Sequence, residues 1–188
     1  MLLNTIRLSL LRSALAITLV IAGSSGCGLF PLNAGPPLKT VENVDISRYM
    51  GKWFEIAKYP VPFENGCTGV TAEYSLIADG SVRVINTCRT ADGQGIASQI
   101  EGIATVADPT TNAKLTVYFF FPFGAPYWII DLDVDYQYAV VGDPTRTFLW
   151  ILSRTPTLDA AVYEQIVGRL PDLGYDPDRL ELMQQFPE

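Results

Sequence analysis

Residues 70–88 read Val-Thr-Ala-Glu-Tyr-Ser-Leu-Ile-Ala-Asp-Gly-Ser-Val-Arg-Val-Ile-Asn-Thr-Cys. Val70, Ala72, Tyr74 and Leu76 fall on one face of an extended chain, and Thr71, Glu73 and Ser75 on the other. After Ala78-Asp79-Gly80 the alternation resumes, with Arg83 opposite Val82 and Val84. Two period-two runs joined through Asp-Gly predict an antiparallel hairpin with one buried face.

The same pattern extends both ways. Residues 52–59 are apolar-rich and end at Pro60-Val61-Pro62. A turn over 90–95 leads to a run at 98–106, closed by Asp108-Pro109. Further runs occupy 114–121, 127–132, 137–142 and 147–153, with proline, glycine or aspartate between them. Eight short strands with short connections predict an all-β, eight-stranded antiparallel up-and-down β-barrel, with a two-sheet sandwich as the other arrangement. One α-helix follows. Thr157 is its candidate cap, Leu158, Ala161, Val162, Ile166 and Leu170 share a face, and Pro171 stops it. It should pack outside the barrel. Residues 175–188 read as a short turn and a tail.

Composition narrows the chemistry. The 188 residues suit one domain plus a targeting segment, and 48% hydrophobic content is enough for a sizeable core. Net charge is -7, and residues 27–188 hold 11 basic and 20 acidic residues. An acidic surface repels phosphate backbones, so nucleic acid is not an expected partner. There is no histidine. That excludes Ser-His and Cys-His catalysis and histidine-ligated zinc. No catalytic residue, metal or cofactor is expected. Asp131 and Asp133 read as solvated strand-end and turn residues.

Residues 1–26 combine Arg7 and Arg12 with an apolar run from Ala14 to Ala22 and then small residues. The run is short for a bilayer span and reads as a secretory signal. Cys27 follows Ser24-Ser25-Gly26, which resembles a bacterial lipobox with Ser24 where leucine is usual. The resemblance implies that Cys27 is lipidated as the first residue of the mature chain. Gly28 in place of aspartate then implies the outer membrane, periplasmic face. The alternative is an ordinary signal peptide. Residues 28–40 are rich in proline and glycine, so 27–42 reads as a lipidated N-terminus and flexible tether, and 43–188 as the domain. With Cys27 assigned to lipid, Cys67 and Cys88 remain, and an exported chain suggests that they form a disulfide. Two free buried thiols are the alternative.

Three motifs in order carry a family resemblance. Asp45-Ile-Ser-Arg-Tyr-Met-Gly-Lys-Trp-Phe-Glu-Ile-Ala contains Gly51 and Trp53 in a Gly-x-Trp core. Val134-Asp135-Tyr136 is similar to a Thr-Asp-Tyr motif between the sixth and seventh strands, and Leu149-Trp-Ile-Leu-Ser-Arg154 ends in an arginine. Over about residues 43–180 the chain resembles the lipocalins, and is similar to the bacterial outer-membrane lipocalins and apolipoprotein D. In an up-and-down barrel, Gly51, Trp53, Asp135, Tyr136 and Arg154 gather at one end. A guanidinium on the Trp53 indole would then plug that end.

An eight-stranded barrel holds one small ligand when some inward side chains are small. Parity points Ile100, Gly102, Ala104 and Val106 inward, then Leu115, Val117, Phe119 and Phe121, then Trp128, Ile130 and Leu132. Of these, Ile100, Gly102, Ala104, Val117, Phe119, Phe121, Trp128 and Ile130 are the candidate ligand contacts. Core packing is the alternative for each aromatic. A charged head would sit at the mouth, near Glu64, Asn65, Phe123 and Tyr127. The resemblance implies a fatty acid or lysophospholipid, and the apolar lining independently suggests an acyl chain. The function expected is binding, storage or transport of such a ligand by an envelope lipoprotein. A lipocalin-fold enzyme and a structural envelope lipoprotein with a filled barrel are the alternatives. A homodimer through the open mouth stays open.

Overall fold

The computed structural model describes residues 36–187. The expected export signal (1–26), Cys27 and the tether up to residue 35 lie outside the described residues. After a short helix α1 (Ile46–Tyr49), eight strands, β1 (Gly51–Lys58), β2 (Thr68–Leu76), β3 (Val82–Arg89), β4 (Ile96–Val106), β5 (Lys114–Phe120), β6 (Phe123–Leu132), β7 (Tyr138–Gly142) and β8 (Leu149–Ser153), pair in antiparallel sequence, and β1 pairs with both β2 and β8. The result is a closed barrel, which removes the free edges that an open sheet exposes. In the β2–β3 hairpin Tyr74 faces Val84 and Leu76 faces Val82. Its turn holds Gly80 at φ +84°, with the Ser81 amide donating to Asp79 Oδ1 at 2.9 Å.

Two apolar cores flank the sheet. The inner one joins Trp53, Tyr74, Val84, Ala104, Val117, Ile129, Val141 and Leu152. The outer one lies under the helix α2 (Ala160–Arg169), where Ile166 and Leu170 meet Ala57, Val140, Leu149 and Ile151. The α2 cap is Asp159 rather than Thr157. Its carboxylate accepts from the amides of Ala161 and Val162, an acceptor that a Thr157 two residues earlier cannot place. Ala161 is exposed, and Tyr163 packs in its place. Arg169 then ties the helix to Asp131 on β6 through Nε, at 3.0 Å.

Residues 36–42, expected as part of a flexible tether, pack on the barrel. Leu38 is buried in the outer core, the Val41 amide donates to the Ile129 carbonyl, and the Val44 amide donates to the Thr111 carbonyl at 2.8 Å. The tail forms a short strand, β9 (Glu181–Leu182), on β1. Beyond it the Gly69 amide donates to the Gln184 carbonyl, and Gln185 Nε2 donates to the carbonyls of Glu55 and Val70. The tail thus zips the seam where β1 and β2 part beyond Phe54. Cys67 and Cys88 are bonded as a disulfide on the mouth half of the barrel.

One end is plugged. The Arg154 guanidinium stacks on the Trp53 ring at 3.8 Å. Its Nη1 donates to the Lys52 carbonyl at 2.9 Å, Nη2 to the Arg48 carbonyl at 2.7 Å and Nε to the Tyr136 carbonyl. The indole donates to the Tyr49 carbonyl at 2.9 Å. The Tyr136 hydroxyl accepts from the Asp45 amide, and Arg48 lies over its ring. Gly51 adopts φ +91°, and a Cβ there would stand 3.4 Å from Arg154 Nη1. Asp135 is exposed and its bonds stay within the β6–β7 turn, where its carbonyl accepts from Gln137 Nε2 and its amide donates to Asp133. Trp53 is fully buried. Trp53→Ala should therefore cost about 3–5 kcal/mol, read as the change in unfolding free energy in urea, and unchanged melting would contradict the plug.

Candidate functional site

Above the plug the barrel is hollow. A floor is made by three tyrosines: Tyr127 Oη lies 2.8 Å from Tyr49 Oη and 2.9 Å from Tyr74 Oη. Burial raises all three hydroxyls well above their ordinary range, with Tyr74 at about 12, so they remain protonated donors. From there a cavity of about 780 Å³ rises to the mouth, bounded by Val84, Val117, Phe119, Trp150 and Leu152, with Phe63, Phe120, Phe123 and Phe148 near the rim. A single-chain lipid fits such a volume.

The candidate contacts divide. Ile100, Val117 and Phe119 line the cavity. Ala104 is buried in the inner core. At Gly102 the Phe119 ring fills the room: a Cβ would meet its Cδ1 at 2.7 Å. Phe121 is 88% exposed at the β5–β6 hairpin tip. The register shifts between Tyr118 and Phe120, and the bulge presents Phe120 and Phe123 to the cavity instead. Trp128 and Ile130 face outward, into the layer under α2. A second register shift, between Ile129 and Asp131, places Ile130 and Asp131 on the same outer side, so Tyr127 and Ile129 point in. Lys114 covers the outward Trp128 ring at 4.6 Å.

A polar stripe crosses one wall. Trp53, Glu55 and Lys58 follow one another along the inner side of β1, because a third bulge at Ile56 turns Lys58 in and Ala57 out. Glu55 is buried beside Glu64, which lies in the short 3-10 helix Pro62–Glu64 of the β1–β2 loop. Lys58 Nζ stands 3.9 Å from Glu64 Oε2 and 3.7 Å from Glu181 Oε2. Burial, then the neighbouring Glu64 charge, pushes the Glu55 carboxyl well above the usual range. Burial raises Glu64 as well, against the pull of Lys58. Sequence reasoning placed Glu64 at the mouth and missed Glu55, Asn86 and Trp150. The signal for Glu55 was present: it stands two residues beyond the inward Trp53 and shares its face.

The fold and the site together define a cup-shaped antiparallel barrel, plugged at one end and hollow at the other. Residues 44–185 match the lipocalin-like domain model. The chain belongs to the lipocalin family. It is 40% identical over 180 residues to outer membrane lipoprotein Blc of Escherichia coli strain K12, covering 95% of this chain and 97% of that relative. Apolipoprotein D of Bos taurus is 44% identical, with 80% of each chain covered, and temperature-induced lipocalin-1 of Arabidopsis thaliana 38%, with 79% and 83% covered. Insecticyanin from Manduca sexta shares the fold at a TM-score of 0.64 and 23% identity, over 81% of this chain and 86% of that one.

The raised Glu55 carboxyl makes stability depend on pH. The folded state holds this proton beyond the point, near pH 4.3, where the unfolded chain releases it. Stability therefore falls as pH rises from there toward the folded value, by at most about 1.4 kcal/mol per pH unit. Glu55→Gln should melt higher than the parent at pH 7, with the gap closing below pH 4. Thermal scans at both pH values check this.

Proposed function

We propose that the protein is a non-catalytic carrier that holds an acyl-chain lipid, a fatty acid or lysophospholipid, in the barrel. The observation that carries this reading is the hollow of about 780 Å³ walled by aromatic and aliphatic side chains. Its relatives support it: Blc is named an outer membrane lipoprotein. The chain has no histidine, and its two domain cysteines are paired, so neither histidine-assisted chemistry nor a free domain thiol is available to a catalyst. The barrel sits at the periplasmic face of the outer membrane, tied there by acyl groups on Cys27, since more than one chain is needed for firm anchoring.

A fluorescent fatty acid should bind the purified domain with a saturable signal, and a lysophospholipid should displace it. Ala72→Phe, which fills the cavity wall, should weaken the signal at least tenfold, a loss of about 1.4 kcal/mol. No signal at saturating probe would refute the carrier reading. Separately, Cys27→Ser should abolish incorporation of labelled palmitate and move the protein to the soluble fraction. Labelled Cys27→Ser in the membrane would refute the anchor.

A further inference from the structure

The apolar cavity has one wall that an alkyl chain cannot satisfy. Glu55 is only 3% exposed, and burial and then the neighbouring Glu64 charge hold its carboxyl well above the usual carboxylate range. Lys58 Nζ stands 3.9 Å from Glu64 Oε2. Even so, Glu55 Oε1, Glu64 Oε2 and Asn86 Oδ1 are buried without a hydrogen-bond partner among the described residues. Glu55, Glu64 and Asn86 all line the same cavity. Buried polar atoms are nearly always paired, so three orphans around one hollow are a demand for donors from whatever fills it.

All three atoms are acceptors, and that selects the head group. A carboxylate or a bare phosphate adds acceptors and a second negative charge beside an acidic pair. A hydroxyl offers one proton. A quaternary ammonium carries charge but no N–H. A primary ammonium offers three donors on one compact centre, with a positive charge to meet the charge that the pair can develop.

We propose that Glu55, Glu64 and Asn86 form a recognition site for the primary ammonium head of a single-chain lipid, whose chain lies on Val84, Val117 and Leu152. The inference rests on the acyl-chain reading above and names the head group within it. It favours a long-chain amine or an ethanolamine-headed lysolipid over a fatty acid. The charge balance is explicit. In the empty cavity the pair retains one proton and Lys58 balances the remaining carboxylate. When an alkylammonium enters, the pair releases its proton to solvent and the cavity gains no net charge; a zwitterionic ethanolamine head brings its own phosphate charge and leaves that proton in place. The other titratable groups nearby are Glu181, which shares Lys58, and Tyr74 on β2, which stays neutral. β3 and β8 contribute the uncharged Asn86 and Trp150.

The test is competition against a bound fluorescent fatty acid by dodecylamine, dodecyltrimethylammonium, dodecanol and dodecanoic acid at pH 7.5. Lysophosphatidylethanolamine and lysophosphatidylcholine form a second set. Dodecylamine should compete at least tenfold better than the other three, and lysophosphatidylethanolamine better than lysophosphatidylcholine. A preference confined to dodecylamine would assign the site to simple amines, and one confined to the ethanolamine lipid would assign it to lysolipids. Titration calorimetry in two buffers of different ionisation enthalpy should show up to one proton released per amine and none for the alcohol. In Glu55→Gln/Glu64→Gln the amine-to-alcohol preference should shrink to about twofold, and Asn86→Ala should reduce it in a barrel that keeps both carboxyls. Equal competition by amine and acid, or an amine preference that survives the double variant, overturns the ammonium site and leaves the carrier reading standing. A probe that does not bind at all overturns both.

Discussion

The Arg154 guanidinium on the Trp53 ring is the contact from which the rest of the barrel takes its geometry. One cation reaches the carbonyls of Arg48, Lys52 and Tyr136, which belong to the entry turn, the first strand and the β6–β7 turn. The guanidinium thus reaches back 102 and 106 residues in sequence, to Lys52 and Arg48. A lysine could not reproduce this, because its three donors share a single nitrogen. Beside it the backbone at Gly51 adopts positive φ, where a side chain is disfavoured. The plug makes the barrel one-ended and fixes the starting register of β1. The inner stripe then runs from Trp53 at the floor through Glu55 to Lys58.

Three bulges shape what the plug begins. The bulge at Ile56 sends Ala57 under the helix and Lys58 into the mouth. The one at Phe119 re-aims the β5–β6 rim, and the one at Ile130 gives the outer face an apolar residue and Asp131 side by side. The outer pair serves α2, as Ile130 joins its apolar contacts and Asp131 receives Arg169. Each bulge exchanges one regular pairing for a local change of direction.

These bulges also mark where the sequence stopped being readable. The eight strands, the β2–β3 turn and the meeting of Trp53 with Arg154 were legible, because alternation, Asp-Gly turns and ordered motifs are local signals. Ile100, Val117 and Phe119 lie in the cavity because parity held up to them. Parity extrapolated back from Asp131 failed at Trp128 and Ile130, and parity carried forward failed at Phe121, since one inserted residue inverts everything beyond it. Nothing in the residue types announces such an insertion. Residues 36–42 were misread for a different reason. Proline and glycine report that a segment is not helical, and say nothing about whether Leu38 finds an apolar surface. The Glu55–Glu64 pair needed three dimensions, because the loop carrying Glu64 folds back over the strand carrying Glu55.

The placement of the two cores explains how a hollow barrel with a costly polar wall holds together. The inner core is concentrated at the floor, around Trp53, Tyr49 and Tyr136. The outer core under α2 packs Ile151, Leu149 and Val140 from strands whose other side faces the inside. Stability is therefore gathered at one end and on one outer flank. The mouth half is held by the Cys67–Cys88 bond and the tail hydrogen bonds rather than by interior packing. Collapse of the cavity would gain apolar contact at the mouth only by burying Glu55, Glu64 and Asn86 more deeply with their acceptors still unpaired. The polar stripe thus opposes collapse, and the same groups that lower the stability of the empty barrel help to keep its interior open. Any occupant that pairs those acceptors binds the folded state alone and returns that stability by mass action.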